Sequence, residues 1–592
     1  MKQIFTYILA AICIFAVAAC EKGTESEGKK PSGSSLLQEV TIEAEVGTTS
    51  ATTALLSYNV DFGPASSAHI DVMLRYSVSE HFSESSTHTV KLTAGNDVYQ
   101  LSGLQFDRQY HYELYLSMYG VEYNAKKGTF KTKPVSVALN DPSESLEGLI
   151  LSGKVVGVSP EEASEFNVLL NVRDAASGDV IEYDVELAED LSFSKLVSDL
   201  DIGAVYTFWT KVSQGTQKSV PSEEKTYTTE DPYVDAEIEF SGAATDLSEN
   251  GTANCYVVAS SGIYRFPLVK GNSNEPVGAV ESVRVLWESF GTDVKPAALD
   301  LICATCKDGD YAVFEVPQAF NEGNAVIAAY DAQDNILWSW HIWLTAAEMK
   351  EITYANGAGD MLDRNLGALS ATPNDPKALG LFYQWGRKDP FLGSSSISQP
   401  LYARSTRNLK VITNTPETAT LSFATANPHK FILANQGGDW LSVKDNSLWG
   451  STKTIYDPCP AGWRVPDGGY NGGLGDLAHP DGVWAKAGFS RQGETPFASG
   501  DYNKVGKNFS QPYCTPDTWY PAAGSIEYNS GQIYDLGVDG VYHSVTAFGG
   551  DDTMVTGLLF NYFQPLGVHY IYCGGEKFAR AGGNSVRCFK VE

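Results

Sequence analysis

The chain has 592 residues, with 42 Lys and Arg against 72 Asp and Glu and a formal net charge of −30. So acidic a surface repels nucleic acid and anionic headgroups, which excludes nucleic-acid binding, and the length implies roughly four domains rather than one core. Its 31 Tyr and 55 Gly against only 6 Met describe a β-rich extracellular chain, not a helical cytosolic enzyme.

At the start, Lys2 precedes an uncharged apolar run from Ile4 to Ala19 that ends in Val17-Ala18-Ala19. A cationic residue, a short apolar stretch and small residues at a cut site read as a bacterial secretory signal over residues 1–19. The run is 16 residues long, short of the roughly 20 that a membrane-spanning helix needs. Cys20 directly after it resembles the cysteine of a lipobox. That resemblance implies a mature chain beginning at a lipidated Cys20, with the membrane as a partner through the lipid. Residues 20–35 are Ser/Gly-rich and form a tether. Glu21 and Lys22 resemble the charged export signals of Bacteroidota surface lipoproteins, which implies an outer-membrane protein facing the exterior.

An internal repeat follows. Leu104 precedes Tyr110 by six residues, as Leu200 precedes Tyr206, and alternation follows both tyrosines. The tyrosines lie 96 residues apart, the length of a small β-sandwich, and Pro134 and Pro232 close the two units. The spacing resembles the tyrosine corner of fibronectin type III domains, in which the phenol caps a loop between sheets. It implies two such sandwiches, at 36–134 and 135–232, with Tyr110 and Tyr206 as fold determinants.

Residues 233–345 carry short β-type runs bounded by Gly, Asn and Asp, which predicts a third sandwich-like domain. The clearest is Ala325–Tyr330, a turn at Asp331–Asn335, then Ile336–Leu344. In the last strand Ile336, Trp338, Trp340, Ile342 and Leu344 share one face, predicting a hairpin with one face buried. Trp338 and Trp340 read as core rather than a sugar platform, and His341 has no partner carboxylate. Cys303 and Cys306 read as thiols, or a local disulfide, at a sheet edge.

In the last segment, 346–592, four blocks stand in order. They are Asp363-Arg364-Asn365-Leu366-Gly367, Tyr383-Gln384-Trp385-Gly386-Arg387-Lys388-Asp389-Pro390, Asp457-Pro458-Cys459-Pro460-Ala461-Gly462-Trp463 and Gly583-Asn584-Ser585-Val586-Arg587-Cys588. Together they resemble the Fibrobacter succinogenes major paralogous domain, found in Bacteroidota surface lipoproteins. The resemblance implies an α+β unit of the C-type-lectin-like kind, similar also to the formylglycine-generating enzyme fold. It implies that Trp385, Arg387 and Asp389 are fold residues. It also implies a disulfide between Cys459 and Cys588, with a second between Cys514 and Cys573 left open.

A calcium-dependent lectin site needs several convergent oxygen ligands. Gln564-Pro565 is followed by Leu566, and Asp551 and Asp552 alone are too few; no metal or cofactor is expected. No nucleophile, zinc or phosphate motif stands in its required context. The aromatic and acidic residues of Gly-rich stretches are the candidate ligand contacts: Trp519, Tyr520, Asp551 and Asp552, with the stretch Tyr528 to Tyr542 of the same character. The fold expected is thus multidomain and mainly β. The function expected is a non-enzymatic lipoprotein adhesin holding a glycan or protein ligand. Alternatives are an accessory subunit of a fimbria or envelope complex and, less favoured, a polysaccharide-active enzyme.

Overall fold

The computed structural model describes residues 40–63, 69–145, 148–176, 178–197, 200–215, 220–393, 410–469, 482–489, 504–548, 551–563, 568–573 and 577–591. Cys20 and the signal lie outside the described residues. The fold is mainly β and multidomain; its helices are short, as in Leu421–Ala426 and Val483–Ala487. Among the described residues no helix is long and apolar enough to cross a membrane.

The first module has seven strands: β1 (Thr41–Thr49), β2 (Ala54–Asp61), β3 (Asp71–Ser77), β4 (Thr87–Leu92), β5 (Gly95–Leu101), β6 (Gln109–Met118) and β7 (Val121–Lys131). They form two antiparallel sheets, β1-β2-β5 and β4-β3-β6-β7, the strand order of a fibronectin type III sandwich. Period-2 alternation builds the core: in β2, Ala54, Leu56, Tyr58 and Val60 point inward between outward-facing neighbours. The second module repeats the plan. Gly148–Val156 pairs with Ser136–Leu139 and Ser192–Val197, and the facing sheet runs Val180–Val185, Phe166–Asp174, Val205–Gln214.

Both tyrosine corners form. The Tyr110 hydroxyl accepts the backbone N–H of Gln105 at 2.8 Å, and that of Tyr206 accepts Asp201 N–H at 2.9 Å. Tyr110→Phe and Tyr206→Phe remove a buried acceptor from a backbone donor, and each is expected to cost about 1–3 kcal/mol. Urea denaturation of the two variants checks this.

The two modules meet in a polar clamp. Glu162 of the second accepts from the backbone N–H and the hydroxyl of Thr52, both at 2.7 Å, and from the Ser50 hydroxyl; its other oxygen takes Ser159 N–H at 3.0 Å. Gln214 donates to the Leu104 carbonyl at 2.8 Å, beside a Phe106–Phe166 ring contact. Burial raises the Glu162 carboxyl, but the hydrogen bonds from Ser50, Ser159 and Thr52 outweigh it and hold it at about 2. A depressed carboxyl contributes stability above its ordinary value of 4.5 that is lost as pH falls toward 2. The module junction is therefore expected to loosen by about 1–2 kcal/mol between those pH values, after discounting for nearby solvent. Calorimetry of wild type against Glu162→Gln measures it: the variant loses the acid dependence.

In the third module one sheet is ordered Cys255–Val258, Ile336–Leu344, Gly323–Tyr330, Ser282–Ser289. Here the one-face expectation fails. Every residue of Gly323–Tyr330 is buried, because the sheet has a core on both sides. Trp338, Trp340, Ile342 and Leu344 fill the sandwich interior. On the opposite face Val326, Ala328, Tyr330 and Trp343 pack against Leu366, Leu381 and Trp385 of the C-terminal segment. The third module and the C-terminal segment thus share one continuous core.

The C-terminal segment has a five-stranded sheet, ordered Trp463–Arg464, Phe589–Lys590, Gly359–Leu362, Glu351–Tyr354, Cys514–Thr515. Its eight-stranded sheet starts at Ile533–Tyr534 and Ser525–Ile526 and runs on through Gly583–Ser585, Asp539–Phe548 and Asp551–Phe563.

Candidate binding surface

The four sequence blocks lie inside this unit as a buried polar scaffold. Arg587 donates to the Asn365 side chain at 2.8 Å, to the Thr518 hydroxyl at 2.8 Å and to the Trp519 carbonyl at 2.7 Å, tying the first and last blocks to strand Thr518–Pro521. Arg387 donates to Gln384 at 2.9 Å, and Trp385 donates to the Ser544 carbonyl at 2.9 Å under the Arg580 guanidinium. Asp457 accepts from Lys453 at 2.7 Å and from Cys459 and Val465 N–H, both at 2.9 Å. Cys459 and Cys588 are joined by a disulfide. Lys388, Asp389 and Ser339 form a hydrogen-bonded cluster, so the second block is glued to the third module's sheet.

Several candidates read from sequence are placed elsewhere than expected. Trp519 and Tyr520 are 3% and 0% exposed. Their strand pairs with Gly506–Phe509, the Tyr520 hydroxyl bonds Tyr354 and takes Trp484 N–H, and Arg587 lies over its ring. They are core, not ligand contacts. Asp551 and Asp552 open the strand Asp551–Phe563, but their side chains lie outside the described residues. Cys514 and Cys573 are free thiols in one aromatic core, not a disulfide; each packs among its own neighbours as a small apolar side chain. Cys303 and Cys306 are also free; a spacing of three along extended chain turns them to opposite faces. His341 is buried against Asn324 at 2.9 Å, and burial lowers it to about 3, leaving it neutral. Among the described residues no group of three or more His, Cys, Asp or Glu is placed to hold a metal.

Among the described residues, the exposed aromatics of the C-terminal segment sit on one edge hairpin. Strands Ser525–Ile526 and Ile533–Tyr534 pair with Ser525 opposite Tyr534 and Ile526 opposite Ile533, closed by Asn529-Ser530-Gly531. Glu527 N–H donates to the Gln532 carbonyl at 2.8 Å, extending the register. Alternation sorts the side chains. Ile526 and Ile533 face the core, while Tyr528, where the turn begins, is exposed. Ser525, Glu527, Gln532 and Tyr534 face outward. Tyr534 is 47% exposed and Tyr528 39%, whereas Tyr542 is fully buried. Gly531 is required at the turn: its φ is +70°, and a Cβ there would lie 2.5 Å from a Val411 methyl.

Val411 belongs to the strand Lys410–Ile412, and Lys410 ties this edge to the second module. Its ammonium bonds Asp174 and, at 2.9 Å, Asp201. Burial lowers Lys410, but the two aspartates more than offset it and hold it above its ordinary value. The hairpin is thereby fixed in place relative to the second sandwich.

No family profile matches the chain, and no curated protein matches it. Among solved structures the chain is similar to a two-domain fibronectin type III segment of chicken tenascin, at 16% identity, covering 32% of this chain and 98% of that one with a TM-score of 0.18. It is also similar to the chicken interferon gamma receptor alpha chain, at 12% identity over 32% and 97% of the two chains, TM-score 0.19. The fibronectin type III assignment here rests on the strand order and the two tyrosine corners.

Proposed function

We propose that the chain is a non-enzymatic binding protein, anchored by lipid at Cys20 on the outer face of an outer membrane. Two fibronectin type III modules carry a terminal unit made of the third sandwich and a C-type-lectin-like domain. The observation that carries this reading is the edge hairpin: Tyr534 and Tyr528 stand exposed on a braced scaffold at the far end of the chain from Cys20, while the charged signature residues are consumed in holding the core. Aromatic side chains on a fixed hairpin suit recognition better than catalysis. The ligand is glycan or protein.

The anchor and the ligand face are tested separately. Metabolic labelling with a clickable fatty acid is expected to mark the wild-type chain and not Cys20→Ser; equal labelling would sink the anchor. Cells displaying Tyr528→Ala/Tyr534→Ala are expected to lose capture of the host matrix or glycan that wild-type cells bind. Capture unchanged by the double substitution would sink the hairpin as the ligand face.

A further inference from the structure

The two faces of the hairpin differ in chemistry, and the difference selects a ligand class. This step rests on the binding-protein reading above. On the outward face Tyr534 has Ser525 directly across the strands, Gln532 two residues before it in the chain and Glu527 on the diagonal, opposite Gln532: one ring beside a hydroxyl, a carboxamide and a carboxylate. Directly opposite residues stand about 5 Å apart and diagonal ones about 7–8 Å, so the four groups form one patch on this face, with the ring at its edge. The Gln532 side chain and the Tyr534 hydroxyl have no hydrogen-bond partner among the described residues. Glu527 uses one oxygen to accept Asn529 N–H at 2.8 Å, which holds the side chain over the turn.

Three properties narrow the partner. The patch has one ring and no second apolar side chain, so it lacks the desolvated cluster that anchors a protein hot spot. It carries a carboxylate and is followed by exposed Asp535, with no cation in the patch, so it repels polyanions. The lysine of the strand that packs on the turn, Lys410, is already held by Asp174 and Asp201. What remains is a surface that stacks one face of a flat, weakly amphipathic ring and exchanges hydrogen bonds with hydroxyls at its rim. We infer that the outward face of the Ser525–Tyr534 hairpin binds uncharged glycans, one pyranose ring stacking on Tyr534 with its hydroxyls bonded to Glu527 and Gln532.

The test uses the full mature chain with Cys20→Ser, so that it is free of lipid. Its affinity is measured for hexasaccharides of glucose, mannose and N-acetylglucosamine, with heparin and polysialic acid as anionic comparators. Binding to at least one neutral hexasaccharide is expected. Tyr534→Ala should weaken it at least about tenfold and Tyr534→Phe by less than about threefold, since the ring and not the hydroxyl stacks. Tyr119→Ala, at the exposed turn of the first module, should change nothing. Melting of each variant confirms folding, as Tyr534 is largely solvent-facing. Neutral binding that survives Tyr534→Ala, preference for heparin or polysialic acid, or no glycan binding at all each overturn the inference. If the chain captures cells or matrix through Tyr534 yet binds no neutral glycan, the ligand class is wrong and the binding-protein reading stands. If it captures nothing, both fall.

Discussion

Asp389→Ala is expected to destabilise the terminal unit by about 3–5 kcal/mol, because it strands a buried ammonium. Lys388 and Asp389 are 3% and 4% exposed, and they sit where the C-terminal segment meets the third sandwich. Asp389 accepts the Ser339 hydroxyl at 2.6 Å, and Lys388 donates to the Ser339 carbonyl at 3.0 Å and its hydroxyl at 2.6 Å, over the ring of Trp338. Burial lowers the Lys388 ammonium, and Asp389 partly offsets that. Removing the carboxylate leaves the charge with a hydroxyl, a carbonyl and a ring. The double variant Lys388→Met/Asp389→Leu removes both charges and should recover most of the loss, since apolar replacements of a buried pair are often neutral or better. Urea denaturation followed by tryptophan fluorescence reads both. A cost under about 1 kcal/mol for the single variant, or a double variant no better than the single, would show that the seam is held by apolar packing alone. Because the cluster joins two segments with one core, both should unfold in a single transition.

That seam also explains what the sequence could and could not convey. Alternation in Ala325–Tyr330 and Ile336–Leu344 locates both strands and the interior face of Trp338, Trp340, Ile342 and Leu344, but not Ile336, which a register shift between Ala329 and Tyr330 turns to the other face. It is silent on what packs on the other face, which is mixed, with Ser339 and His341 between Leu337 and Trp343. Ser339's partner, Asp389, comes from the C-terminal segment, 50 residues away, so that pairing has no local signature; His341's partner, Asn324, stands on the adjacent strand of the same hairpin but outside the alternating run. The same cause misplaces Trp519 and Tyr520. Gly- and Asp-rich flanks read as loop, yet the Arg587 network, 67 residues beyond Tyr520 in sequence, draws the strand into the core. The tyrosine corners are legible because donor and acceptor lie five residues apart. The hairpin was legible in principle: Asn529-Ser530-Gly531 marks its turn, and alternation about that turn separates the outward row from the inward one. The Gly-, Asn- and Asp-rich composition is the same throughout the stretch to Tyr542, so composition alone does not separate exposed Tyr534 from buried Tyr542.

Loss of the Cys459–Cys588 disulfide is expected to match the charge substitution in size. The bonded residues are 129 apart, and in the chain-entropy description closing a loop of that length restricts the unfolded chain by about 5 kcal/mol. The bond joins the third block to the last. Cys588 accepts Leu362 N–H through its carbonyl at 2.9 Å, and Cys459 precedes Pro460, which bridges to Cys255 of the third module. One covalent link therefore closes the segment between blocks and sits against the seam. Both sulfurs are fully buried, so a reductant added to the folded chain should act only as fast as the unit opens. Unfolding in urea with a phosphine reductant should give a midpoint well below that of the oxidised chain, and Cys459→Ala/Cys588→Ala should reproduce it. The charge cluster and the disulfide act on different states: one on the native seam, the other chiefly on the unfolded chain. Their effects are expected to add within about 0.5 kcal/mol when combined. Strong non-additivity would mean that the disulfide also sets the geometry of the seam, and that reduction disturbs the mount of the Tyr534 hairpin as well as the stability of the unit.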